Sequence, residues 1–285
     1  MLIAVRIQAE IAPPEYLFDL AEIASKRINT DEPGWQIFYL NLQVARFRAN
    51  ILQGIITNPH PIVEEALRMD GVCSSISLDG VDWTFETVYS DLDLSSDFII
   101  LDHYHVYPNF ISAQMWNYVR VMRLTLREII RKTLVQGFSC QPPIFFKIEH
   151  AVQFQISTDT LFQLQRELLA SIPQYLGFAG ITNLRPNWKL PSAQSSLDPK
   201  FPWSCFQSTI YQITPTSSPP SNGPPLIRSF GGYILPRLLY VAGNLSITAP
   251  TTKQKILKTL RLIGHSMGIQ QAFILADEME GKRVL

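Results

Sequence analysis

Apolar positions recur every three or four residues along most of this chain, with polar residues between them, which is the signature of helices packed by one face. Glu15 to Ile28 carries Tyr16, Leu17, Leu20, Ile23, Ala24 and Ile28 at that spacing, directly after Pro13-Pro14. Asp31-Glu32-Pro33 opens a second helix, where acidic groups suit the positive end of the dipole. Trp35, Phe38, Leu42, Ala45, Ala49 and Leu52 mark its buried side. Asn58-Pro59-His60-Pro61 breaks the chain, and a shorter helix is predicted from Pro61 to about Asp70, with room to extend toward Leu78.

The clearest pattern runs from Ser112 to Gln136. Trp116, Val119, Met122, Leu126, Ile129 and Thr133 share a face, and Gly137 follows as a helix stop. Arg120, Arg123, Arg127 and Arg131 form a stripe at the same spacing, of a kind that binds acidic partners or phosphates, but read here as a solvated face paired with neighbours such as Glu128. A helix is also predicted from Ser157-Thr158-Asp159 to Ile172. Toward the end, Pro250 suits a first helical turn, with Thr248 as a cap. Ile256, Leu257, Leu260, Ile263 and Met267 then recur, broken at Gly268. Ile269, Ala272, Phe273, Ala276 and Met279 start a further helix at once.

Two stretches read differently. Phe146, Ile148, His150, Val152, Phe154 and Ile156 alternate as a strand does. Trp83, Phe85 and Val88 alternate too, after a turn at Leu78-Asp79-Gly80-Val81, but so short a run is ambiguous. Residues 1–12 have no assignable pattern. Residues 185–231 hold nine of the twenty prolines, and from Leu190 to Ile227 the only charges are Asp198 and Lys200. They read as a loosely held Pro/Ser-rich loop. Phe201, Trp203, Phe206, Ile210, Tyr211 and Ile213 within it carry enough apolar surface to pack back on the body. The expected fold is therefore mostly α: one irregular multi-helix domain of antiparallel helix pairs spanning 1–285, with 1–14 poorly defined.

Composition bounds what such a domain does. Apolar residues make up 46% of the chain, enough for a sizeable core, and the formal net charge is zero. A neutral chain lacks the basic footprint of a nucleic-acid binder. Cys73, Cys140 and Cys205 are too scattered for a disulfide framework or a paired-cysteine metal site, and fit a reducing compartment. No apolar run approaches the roughly 20 residues needed to span a bilayer.

Gly264-His265-Ser266-Met267-Gly268 is a literal match to the G-x-S-x-G elbow of serine hydrolases. That elbow needs a strand before the serine, whereas the residues here have helical spacing. No histidine follows Ser266, and His265 beside it would face another way. We read this segment as two helices around a glycine break. Asp102-His103-Tyr104-His105 offers two imidazoles on one face of an extended segment, but a metal needs a third ligand, and His60, His150 and His265 are scattered. Trp35, Trp116 and Trp203 are read as core rather than as a ligand pocket. No catalytic, cofactor-binding or metal-ligating residue is assigned, and no cofactor is expected.

The segment from Gly232 to Met279 resembles the end of the regulatory domain of fungal zinc binuclear cluster transcription factors. The matching residues are Gly232, Tyr233, Pro236, Leu239, Tyr240, Val241, Ala242, Leu260, Ile263, Gly264, Gly268, Ile269, Gln271 and Ala272. Tyr107-Pro108 with Ala113, Trp116 and Asn117 resembles a second motif of that family. Ala170-Ser171-Ile172-Pro173 with Gly177 resembles a third. Ala66, Asp70 and Trp83 fit the family's helix-and-loop segment. The resemblance runs from about Glu15 to Met279. It implies a regulator of transcription in the nucleus, often pathway-specific for secondary metabolism. Its partners would be proteins of the transcription machinery or a full-length DNA-binding regulator, with a small-molecule effector as a further option. The family's six-cysteine DNA-binding segment is not among these residues, so direct DNA binding is not expected of this chain. The competing readings are a small-molecule-binding helical module without a transcriptional role and, remotely, a hydrolase.

Overall fold

The computed structural model describes residues 11–80, 82–89, 100–176 and 229–282. The fold is mostly α. Its helices are α1 (Glu15–Ser25), α2 (Pro33–Leu52) and α3 (Pro59–Ser75), then α4 (Phe110–Ser139), α5 (Ile148–Ala170), α6 (Ile172–Tyr175), α7 (Ser229–Gly243), α8 (Pro250–Met267) and α9 (Gln270–Met279). A small ribbon, β1 (Glu86–Tyr89) with β2 (His103–Val106), sits between α3 and α4. Residues 1–10, Gly177 and residues 185–228 lie outside the described residues, including the aromatic cluster around Trp203. Residues 229–231, read as part of the proline-rich loop, instead begin α7.

Helix α4 is the axis of the molecule. It packs most extensively on α3 to one side and α5 to the other. Leu124, Leu126, Ile130 and Leu134 are all fully buried, and truncating any one to alanine costs about 2–5 kcal/mol. One core gathers Val121 and Leu124 of α4 with Leu161 and Leu168 of α5, Leu235 and Leu239 of α7, and Leu260 and Ile263 of α8. A second gathers Leu126, Ile130 and Leu134 with Ile37 and Phe47 of α2 and Val63 and Met69 of α3. Half-buried Trp116 touches both. Phe18, Ala21 and Leu42, with Trp35 and Phe38, form a third, smaller cluster that seats α1.

The helix starts follow their sequences. Asn58 accepts the His60 N–H through its side chain at the start of α3, and Asn109 accepts that of Ser112 at the start of α4. Pro250 occupies the first turn of α8, and Gly268 ends it in the left-handed conformation, φ 67°. Thr248 is not the cap of α8; that position is Ala249, and the Thr248 hydroxyl donates instead to the Ala242 carbonyl.

Several expectations are corrected. The alternating run Phe146 to Ile156 is not a strand: α5 begins at Ile148 and absorbs it. Ile148, Val152 and Ile156 are a helical i, i+4, i+8 set on an exposed face, while Phe154 turns inward onto the second core. Gly137 does not stop α4, which continues to Ser139. A Cβ there would lie 2.2 Å from the Phe145 ring, so the glycine serves close packing. Leu52 is exposed rather than buried. Trp83 lies in a turn, and the strand begins only at Glu86. The arginine stripe is not a solvated face: Arg120 is buried, and Arg123 and Arg127 both reach Asp70, itself buried on α3.

Candidate functional site

The ribbon places its side chains by simple alternation. Thr87 pairs with His105 and Tyr89 with His103, so these four share one face. That face looks onto Gln163, Arg166 and Glu167 of α5 across a cavity of about 480 Å³. Both imidazoles of the Asp102-His103-Tyr104-His105 segment are thus brought together, their ring centroids 6.0 Å apart. His60, His150 and His265 are elsewhere: His60 and His150 flank Phe145, and His265 meets the edge of Phe273. Among the described residues, no three His, Cys, Asp or Glu side chains converge as metal ligands.

Beneath the cavity lies a buried polar network. Arg120 is 1% exposed. Its Nε donates to Glu167 at 3.2 Å, and its Nη1 donates to the Tyr107 hydroxyl and to Asn117 Oδ1. Its Nη2 has no partner among the described residues. The rings of Phe85, Trp116 and Tyr107 surround the guanidinium, with centroids 5.3, 5.3 and 5.7 Å from its central carbon, where their negative faces offset part of the burial cost. Asn117 then donates to Ser171 Oγ at 2.9 Å and to the Tyr175 hydroxyl at 3.3 Å. Gln174 exchanges two hydrogen bonds with the Tyr107 backbone, accepting its N–H at 2.8 Å and donating to its carbonyl at 2.9 Å.

Burial sets the proton states. It pushes the His105 imidazole down to about 3, with the Arg120 charge adding to the effect, so the ring is neutral. Burial also raises the Tyr107 and Tyr175 hydroxyls above their ordinary range, against the opposing pull of their hydrogen-bond donors. Asp102 is held below the usual carboxylate range, chiefly by its hydrogen bond to His103. The Cys73 thiol, buried in the second core, is pushed up to about 12 and is a poor nucleophile.

Ser266 lies in the last turn of α8 and is exposed; helix, not strand, precedes it. Gly264 is held against Phe273, where a Cβ would come within 2.6 Å of the ring. Trp35 stacks on Tyr39, and Trp116 donates its indole N–H to the Trp83 carbonyl at 2.8 Å.

No family model, curated protein or solved structure matches this chain. The residues of the network speak for themselves. Tyr107, Arg120, Glu167 and Gln174 were not singled out as a site by sequence reasoning. One signal was available: Ala113, Asn117, Arg120 and Leu124 lie at i, i+4, i+7 and i+11, so two polar groups interrupt an otherwise buried stripe. Among the described residues, no helix is long and apolar enough to cross a membrane.

Proposed function

We propose that this chain is a regulatory domain of the fungal zinc binuclear cluster type, working in the nucleus as a regulator of transcription and specific to a secondary-metabolite pathway. One observation carries the reading. The separate segments that resemble the family touch one another. Asn117 of the second motif donates to Ser171 of the third. Trp116 beside it donates to Trp83. Ala242 of the terminal segment shares one core with Ala113 of the second motif and Ile172 of the third. Residues of the separate motifs, scattered over the chain, thus meet in the fold.

The domain acts through protein contacts, with the transcription machinery or with a full-length DNA-binding regulator, and not through catalysis. Tethering it to a heterologous DNA-binding module in a fungal host and reading a reporter tests this. Altered reporter output supports the reading, and unchanged output at normal protein level counts against it. The cavity over Arg120 favours a second reading, a small-molecule-binding module with no transcriptional role. A silent reporter combined with ligand-dependent thermal stabilisation would select that alternative.

A further inference from the structure

The two imidazoles in the cavity wall are fixed in opposite hydrogen-bonding roles by the groups behind them. The Tyr107 hydroxyl accepts from the Arg120 cation, so its own proton is directed to His105 Nδ1, 3.1 Å away. A neutral imidazole that accepts at Nδ1 carries its proton on Nε2. At His103 the arrangement is reversed. Nδ1 lies 2.7 Å from the Asp102 carboxylate, which only accepts, so Nδ1 holds the proton in the single-proton tautomer and Nε2 is then the acceptor. The hydrogen bonds described for both rings run through Nδ1, so each Nε2 is left toward the cavity side of this arrangement. The wall therefore offers one N–H donor beside one acceptor.

Among the described residues, the formal charges around them are paired. Glu167 is taken by Arg120 through one oxygen and by Gln163 through the other. Arg166 stands 4.0 Å from Asp102. Among the described residues that line the cavity, each formal charge thus has an opposite charge within reach. Tyr89, 72% exposed, lies with its ring centroid 5.8 Å from that of His103 and offers an aromatic surface at the rim. The cavity volume of about 480 Å³ suits a small organic molecule.

We propose that this cavity binds an uncharged organic molecule carrying a carbonyl acceptor and an N–H or O–H donor on a planar apolar frame. The carbonyl meets His105 Nε2–H, the donor meets His103 Nε2, and the frame lies against Tyr89. This goes beyond the transcriptional reading and does not depend on it, so a silent reporter leaves it standing.

Three probes of one shape test it: benzamide, benzoate and benzylammonium, titrated into the full chain by calorimetry or ligand-observed NMR. Fragments of this size bind at about the millimolar level. The expected result is benzamide binding at least about fivefold tighter than either charged probe, since a mismatched polar group in such a site costs about 1 kcal/mol or more. His105→Phe should abolish the preference. Tyr107→Phe releases the His105 tautomer and should weaken benzamide several-fold. If that variant does not fold, His103→Phe, on the cavity wall, carries the same expectation. Benzoate binding as tightly as benzamide, no benzamide binding, or unchanged affinity in His105→Phe would each overturn the proposal.

Discussion

The side-chain amide of Asn117 and the hydroxyl of Ser171 lie 2.9 Å apart, joined across 54 positions of sequence. Both groups are fully buried. The bond ties the N-terminal part of α4 to the corner where α5 gives way to α6.

Asn117→Ala should therefore be costly. It strips Ser171, Tyr175 and Arg120 of a partner at once. A loss of about 3 kcal/mol is expected, which lowers Tm by about 10 °C in a chain of this size. Ser171→Ala leaves one donor wanting and should cost about 1 kcal/mol. Thermal unfolding followed by circular dichroism checks the ranking; equal effects would contradict the network described above.

Asp70 presents a different hierarchy. Its side chain is 2% exposed and accepts from Arg123 at 3.0 Å and from Arg127. Asp70→Ala leaves two guanidinium groups without their counter-ion and should destabilise by about 3–5 kcal/mol. Arg123 is a quarter exposed, so Arg123→Ala should cost well under half of that, because water reaches the vacated position. Urea titration of both variants decides it.

The neutral His105 gives stability a pH dependence of known sign. Its folded value is depressed to about 3, against about 6.5 for the free side chain. Below pH 6.5 the unfolded chain takes up a proton that the folded chain refuses, so stability is intact above that point and falls as the pH drops toward 3. Between pH 6.5 and 5 the expected loss is about 2 kcal/mol. The shifted carboxylates Asp102, Glu65 and Glu280 all lie below the ordinary carboxylate values and so contribute only at lower pH. His105→Phe should flatten the slope in this window; an unchanged slope would refute the assignment.

The hydrolase-like pentapeptide predicts an asymmetric response. Gly264→Ala forces a methyl group into the Phe273 ring and should cost about 1–3 kcal/mol. Gly268→Ala is strained at φ 67° and should cost about 1 kcal/mol. Ser266→Ala, on an exposed turn of helix, should leave Tm unchanged. Fluorophosphonate should not label Ser266; stoichiometric labelling would show that the serine is activated after all.

Helices were readable wherever one face was apolar and the ends were marked. Pro250 and Gly268 bracket α8 as their backbone preferences require, and Ile256, Leu260 and Ile263 are its buried side. The reading failed where periodicity was degenerate. Ile148, His150, Val152, Phe154 and Ile156 fit a period of two, yet every second member also fits i, i+4, and with no partner strand among the described residues the helix prevails. The polar network was harder still. Arginine on an amphipathic helix is ordinarily solvated, and what buries Arg120 is contributed by Glu167, Tyr107 and Phe85, which no local pattern connects to it. A short window of sequence carries propensity and facing, whereas this cluster is assembled by the packing of α4, α5 and the ribbon.

Gln174 lends its carboxamide to the chain at Tyr107 as though it were one more residue of sheet. The strand end is thereby clasped to the corner between α5 and α7 by a two-pronged grip that resists sliding in either direction. Anything that tugs on His105, two residues along the same strand, must drag that corner with it. Occupancy at the ribbon would thus be transmitted mechanically to α6 without requiring any helix to melt.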